Sequence, residues 1–245
     1  MKGIVLAGGL GTRFHPITKV VNKHLLDVFD EPVVFFPIKT LIKAGIGDIV
    51  VVTGDEVDQF KGLLGDGSEL GANISFAYQE DPVGGIADAI SKAEEAVGGT
   101  SCVVMLGDNI FQSDISPYVQ KFSEQTKGAH LILKRVSLED AHRFGVAEVK
   151  DGQITELVEK PSEPRSDLAQ TGCYMYDETV FDRIRKLEPS DRGQLEVTDL
   201  NKLYLADGQL TYDIISGWWA DAGTPASKLK ASLLVALEKG VTFHR

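Results

Sequence analysis

The residue types best suited to chemistry sit close to the N-terminus. Gly8, Gly9 and Gly11 fill three of four positions, Thr12 and Arg13 follow at once, and Lys23 comes after a short spacer. Glycine lets backbone N–H groups approach a ligand with no Cβ in the way. A loop of such donors makes a concave anion site, to which Arg and Lys add full charges. That set suits a polyphosphate. Two acidic residues bring a second kind of chemistry. Asp108 follows Gly107 just past an apolar run, and Asp221 lies in Trp218-Trp219-Ala220-Asp221-Ala222-Gly223. A carboxylate at such a turn can face a cleft and hold Mg²⁺, a hard cation often bound by one or two carboxylates together with phosphates. Each also suits a turn or a helix cap. Glu159-Lys160-Pro161 ends a predicted strand, where a lysine serves equally as surface charge.

Two standard glycine-loop readings fit poorly. A P-loop requires a lysine directly after its last glycine, and Thr12 stands there. The dinucleotide fingerprint requires a third glycine where Phe14 stands, and an acidic residue ending the second strand. Asp27 and Asp30 have about the right spacing but precede a predicted helix. Composition narrows the field further. The chain has 245 residues, 43% of them hydrophobic, and a net charge of -11, which argues against a general nucleic-acid or anionic-membrane binder. No apolar stretch is long enough to span a membrane, and the N-terminal run is short for a signal peptide. Cys102 and Cys173 lie in strand-like runs and read as buried free thiols, so a cytoplasmic location is expected. The five histidines are dispersed, with no zinc-ligand spacing.

The elements that would position these groups alternate. The glycine loop follows an apolar strand over 3–7 that ends with Leu6 and Ala7. A helix is predicted from Asp30-Glu31-Pro32 through 34–43, then a strand over 48–53, a helix over 55–64 and a strand over 73–78. A helix over 86–97 opens at Gly84-Gly85. A strand over 101–106, a helix over 115–125 and a strand over 129–135 follow. Such β-α alternation implies an α/β fold with a mostly parallel sheet and helices on both faces. Ligands bind such sheets beyond the C-terminal strand ends, where the glycine loop and Asp108 both fall. Beyond Gly145 the rhythm changes: strands over 145–149, 154–159 and 172–176, helices over 177–186 and 197–206, a strand over 210–215 and a closing helix over 225–239. One domain over 1–245 is expected, with a nucleotide-binding half over 1–135. The half over 136–245 would build a wall over the open edge of the first.

In order and spacing these segments resemble the sugar nucleotidyltransferases, most closely the glucose-1-phosphate thymidylyltransferases of the shorter form. The resemblance rests on LAGGLGTR at 6–13, PITK at 16–19, NKHLL at 22–26, LGDG at 64–67 and LGDNIF at 106–111. RFGV at 143–146, EKP at 159–161, Thr171-Gly172, RGQLEVTDLN at 192–201 and WADAGT at 219–224 extend it. It implies a Rossmann-like fold and Mg²⁺-dependent transfer of a nucleotidyl group from an NTP to a sugar 1-phosphate, releasing pyrophosphate. The implied substrates are dTTP or UTP and glucose 1-phosphate. Leu6, Ala7, Gly8, Gly9, Gly11, Thr12 and Gly85 would hold the nucleotide. Arg13 would meet the leaving pyrophosphate, Lys23 the phosphates near the reacting phosphorus, and Asp108 and Asp221 the metal. Asn109, Gly145, Glu159, Thr171, Gly172 and Trp219 would line the sugar pocket, with Lys160 on the sugar phosphate. Such chemistry needs positioning and charge neutralisation rather than a covalent protein nucleophile.

The pattern departs from the family at His24, where Gln is commoner, and at Asp27, where Pro is usual. The longer members' C-terminal helical region is missing, which leaves their allosteric site and assembly as a homo-oligomer open; with no β-helix extension, a second acyltransferase activity is not expected. The base reader is also ambiguous. Thymidylyltransferases resemble one another in a Gln shortly before the helix that opens at Gly85-Ile86-Ala87, and counting back places that slot on Glu80. Gln79 reaches it with a one-residue loop adjustment. An amide complements thymine or uracil, whereas an acceptor-only Glu would favour GTP. Two other classes stay in view: a nucleotide-sensing regulator on the same fold, and a NAD-dependent oxidoreductase.

Overall fold

A near-continuous apolar run makes a strand that must be covered on both faces. Strand β1 (Lys2–Leu6) is such a strand: Ile4 and Leu6 pack into one buried cluster, Val5 and Ala7 into another on the opposite side. A computed structural model describes residues 1–125 and 127–242; Thr126 and residues 243–245, assigned by sequence to the same domain, lie outside them. After β1 come a hairpin of β2 (Asp27–Val28) and β3 (Glu31–Pro32), then α1 (Phe35–Lys43), β4 (Asp48–Thr53), α2 (Val57–Leu64) and β5 (Asn73–Tyr78). Helices α3 (Ile86–Ser91) and α4 (Glu94–Val97) lead to β6 (Cys102–Leu106), β7 (Asn109–Phe111), α5 (Ser116–Ser123) and β8 (Ala129–Arg135). The rest runs α6 (Leu138–Ala141), β9 (Gly145–Lys150), β10 (Gln153–Glu159), β11 (Leu168–Tyr176), α7 (Val180–Ile184), α8 (Val197–Ala206), β12 (Leu210–Ile214), β13 (Trp219–Asp221) and α9 (Pro225–Glu238).

The main sheet orders β5-β4-β1-β6-β11-β8-β12, and all these strands share one direction except β11. The mixed, mostly parallel sheet expected from sequence is therefore present. The second half relates to it differently from the expected wall. Strand β11 inserts between β6 and β8, inside the sheet, and all nine of its residues are buried. The β9–β10 hairpin joins the sheet through Val146 against Ala169.

Three local expectations are corrected. Glu31-Pro32 does not start a helix: it pairs with Asp27-Val28, and α1 begins at Phe35. The nearby acids neutralise lysines on and just past α9 instead, Asp27 taking Lys228 at 3.4 Å and Asp30 taking Lys239 at 2.7 Å. The helix expected over 86–97 breaks after Ser91, where the Lys92 N–H donates to Ala89 O and tightens the turn. The strand expected over 172–176 begins four residues earlier, because Gln170 and Thr171 are buried and hydrogen-bonded rather than turned to solvent.

Candidate active site

Beyond the C-terminal ends of β1 and β6 the chain encloses a cleft of about 540 Å³. A hollow of about 360 Å³, lined by Gly9, Gly11, Thr12, Arg13 and Gly223, adjoins it. The centre of the cleft is a cluster of charges. Lys23 Nζ donates to Asp108 Oδ2 at 2.5 Å, and Asp108 is almost fully buried. Lys23 opens a single turn of 3-10 helix capped by Asn22, whose side chain accepts from the His24 N–H. His24 is the buried anchor of that turn. Burial and the Lys23 charge push its pKa down to about 3, so it is neutral, and Nδ1 bonds Asn22 Oδ1 at 2.8 Å. The residue that departs from the family pattern thus aims the lysine.

Asp221 reaches the same spot through a ladder of β13 on β7. Asp221 stands opposite Asn109, and the Ala222 N–H donates to Asp108 O at 2.8 Å. Burial and the charge of Asp108 raise the pKa of Asp221, against the pull of Lys23 and Arg13. Burial also penalises the charge on Asp108, but the charge of Lys23, with hydrogen bonds from Lys23 and Asn109, overcomes it and holds that carboxyl below its usual range. Two buried carboxylates in mutual repulsion form a site short of positive charge. Two hard oxygen donors with room for phosphate oxygens fit Mg²⁺, which seldom takes an all-protein cage.

Asn109 ties this centre to the far end of the cleft. Its Nδ2 donates to Asp108 Oδ1 at 3.1 Å, while its Oδ1 accepts from Trp219 Nε1 at 2.7 Å and the Gly172 N–H at 3.1 Å. Trp219 packs on Phe144 with ring centroids 5.0 Å apart. Beyond lie Gly145, Lys160 and Glu159, whose Oε2 accepts from Thr198 Oγ1 at 2.6 Å. Thr198 accepts from Gln170, Gln170 accepts from Asn201, and Asn201 accepts from the buried Tyr176 hydroxyl. At the opposite end Gly8, Gly85 and Gln79 line the wall.

Three residues expected in the site lie outside the cleft. Thr171 is fully buried and gives its hydroxyl to Ile132 O at 2.7 Å, inside the sheet. Ala7 is sealed behind the loop, its N–H donating to Val52 O and its carbonyl accepting from Asn22. Glu80 is exposed, next to the buried Gln79. The other expected residues line the cleft or the adjoining hollow. The sequence reading missed Gln170, Glu196 and Thr198, all cleft-lining. Glu196 and Thr198 lie in the RGQLEVTDLN segment that carried the resemblance. It also missed Gly223. A Cβ there would stand 2.7 Å from Asp221 Oδ1, 2.9 Å from one Arg13 amino nitrogen and 3.3 Å from Asp108 Oδ2. Gly223→Ala is expected to lower kcat on the order of 10²-fold by displacing these groups, with the melting temperature little changed. Steady-state kinetics beside a thermal melt would show it; wild-type kcat would mean the carboxylates have room to spare.

Comparison with known proteins follows the same lines. The nucleotidyl transferase family model matches residues 2–238. The chain is 43% identical over 240 residues to the glucose-1-phosphate thymidylyltransferase of Neisseria meningitidis, covering 96% of this chain and 82% of that one. It is 40% identical to the low-salt glycan biosynthesis nucleotidyltransferase Agl11 of Haloferax volcanii, covering 98% and 68%. A crystal structure from Bacillus anthracis, provisionally assigned as a glucose-1-phosphate thymidylyltransferase and bound to sucrose, superposes with a TM-score of 0.91. It is 47% identical and covers 100% of this chain and 98% of its own. A UDP-glucose pyrophosphorylase complexed with UDP-glucose shares the fold at 21% identity, with a TM-score of 0.85, covering 97% and 98%. Among the described residues no helix is long and apolar enough to cross a membrane.

Proposed function

The chain belongs to the nucleotidyl transferase family and is a nucleotidyltransferase, and from that premise we propose that it transfers a thymidylyl group from dTTP to glucose 1-phosphate. The observation carrying this reading is the single cleft that joins Gln79 at one end, the Lys23–Asp108–Asp221 cluster at its centre and Glu159 with Lys160 at the other. Residues of both ends line this one cleft, so the two substrates meet without an intermediate carrier.

The reaction follows from the placement. The base lies against Gln79, and the triphosphate runs past Gly8, Gly9 and Gly11 toward Arg13. The sugar hydroxyls meet Glu159, which Thr198 and Arg192 hold in place, and the sugar phosphate meets Lys160. A phosphate oxygen of glucose 1-phosphate forms a bond to the α-phosphorus while the bond to the bridging oxygen of pyrophosphate breaks. Pyrophosphate leaves in the direction of Arg13, with no proton transferred to the protein. Lys23 stabilises the charge that grows on the α-phosphate as the bond order changes. Asp108 and Asp221 would hold Mg²⁺, which when bound draws negative charge off the phosphate oxygens. Water exclusion and alignment supply the rest.

Pyrophosphate release across a panel of NTPs and sugar 1-phosphates tests the proposal. The expected result is fastest release with dTTP and glucose 1-phosphate. A preference for GTP abolished by Glu80→Gln would contradict it, and would require the exposed Glu80 to turn into the cleft.

A further inference from the structure

We infer that Asp88 sets which bases the cleft accepts, by fixing the Gln79 amide so that only its carbonyl oxygen faces the base. This deepens, and rests on, the reading of the cleft as a nucleotide site. Gln79 is buried, and its Oε1 lies 3.0 Å from where a Cβ on Gly8 would stand, against the glycine loop. An amide nitrogen has two hydrogens. Both are committed here: Nε2 donates to Asp88 Oδ2 at 2.9 Å and to Gly85 O at 3.3 Å. The assignment of nitrogen and oxygen follows from chemistry, since a carboxylate and a carbonyl only accept. The flipped amide would set Oε1 against two acceptors.

Asp88 is itself held. Its Oδ1 pairs with Lys92 Nζ at 3.1 Å, four residues along the chain. Its Oδ2 reaches Gln79 past Gly84, where a Cβ would come within 2.6 Å of that oxygen. Asp88, placed by Gly84 and Lys92, and Gly85 O together therefore present an amide with no donor left for a ligand. What remains at the base is one acceptor, Oε1. It can take a ring N–H, which thymine and uracil carry at N3 and guanine at N1. Cytosine at N3 and adenine at N1 present a lone pair there, and could meet Oε1 only through the neighbouring exocyclic amino group, with the base shifted from the position a ring N–H takes.

The test is the selectivity between dTTP and dCTP, read as the ratio of kcat/KM at saturating glucose 1-phosphate and as the ratio of Kd values without sugar phosphate. Asp88→Asn keeps the shape but can donate to Gln79, so the amide is free to turn and offer Nε2 to the base. The dTTP:dCTP ratio is expected to fall about tenfold or more. Asp88→Ala, which leaves Gly85 O as the sole acceptor on the amide, should move it the same way by less. A merely structural role for Asp88 would weaken both nucleotides alike. Wild-type ratios in both variants, with dTTP still bound and turned over, would overturn the inference. Wild-type protein that neither binds nor turns over dTTP would instead overturn the nucleotide reading, and the inference with it.

Discussion

Asp108→Asn and Asp221→Asn are each expected to lower kcat by ~10²–10³ or more, with the double variant little worse than either single one. Loss of one preorganised charged group at a transferring phosphoryl centre commonly costs that much, and residues that act as a unit are grossly non-additive. The structure puts both carboxylates at one point: Asp221 is paired through β13 to Asn109, and Asp108 O receives the Ala222 N–H. Their stability effects should separate them. Burial and the neighbouring Asp108 charge raise the pKa of Asp221. A carboxyl whose folded pKa is raised costs stability once pH has risen through that pKa, and costs none below its unfolded value. Asp221→Asn should therefore raise the melting temperature of cation-free protein near neutral pH, by about 2–4 °C per kcal/mol relieved, and leave it unchanged in strong acid. Near-wild-type kcat in either single variant would remove that residue from the centre.

Lys23→Ala is expected to lower kcat by ~10²–10³, because its interaction strengthens as charge shifts in the transition state. Lys160→Ala should act mainly on the KM for sugar phosphate, since that phosphate is charged before and after the reaction. The surroundings support the split. Lys23 is largely buried and bonded to Asp108, whereas Lys160 is about half exposed and 3.2 Å from Glu159 Oε1. Lys23→Ala also leaves Asp108 buried without its nearest cation, so a fall in stability should accompany the fall in kcat. Steady-state kinetics with each substrate varied in turn would show the pattern. The opposite pattern would exchange the two roles.

The parallel strands were legible because their burial is written in single short runs: GIVLA, DIVVVT and SCVVML are too short for any other use in a chain of this composition. The glycine loop and Asp108 were legible because each follows such a run, at the strand ends where ligands collect. Long-range pairing was not legible. Strand β7 is three residues long and finds its partner far along the chain, so nothing local announces the ladder that brings Asp221 to Asp108. Strand β11 hid its first half for another reason. Polar Gln170 and Thr171 interrupt the apolar pattern that marks a buried strand, but they are buried and satisfied by Asn201, Thr198 and Ile132. The base reader was ambiguous by one position; Gln79 is buried at the cleft wall and Glu80 exposed, which favours Gln79. Asp30, Glu31 and Pro32 mimicked a helix start because the lysine that claims Asp30 lies far along the chain, just past α9.

The central claim is direct transfer within one cleft, from nucleoside triphosphate to sugar phosphate with no covalent enzyme intermediate. The stereochemical course at the α-phosphorus tests it most directly, with dTTP made chiral there by one sulfur and the configuration of the nucleotide-sugar product determined. A single in-line displacement predicts inversion, with glucose 1-phosphate as the attacking group. Retention would mean two displacements, and would require a protein nucleophile that the cleft has not been seen to supply.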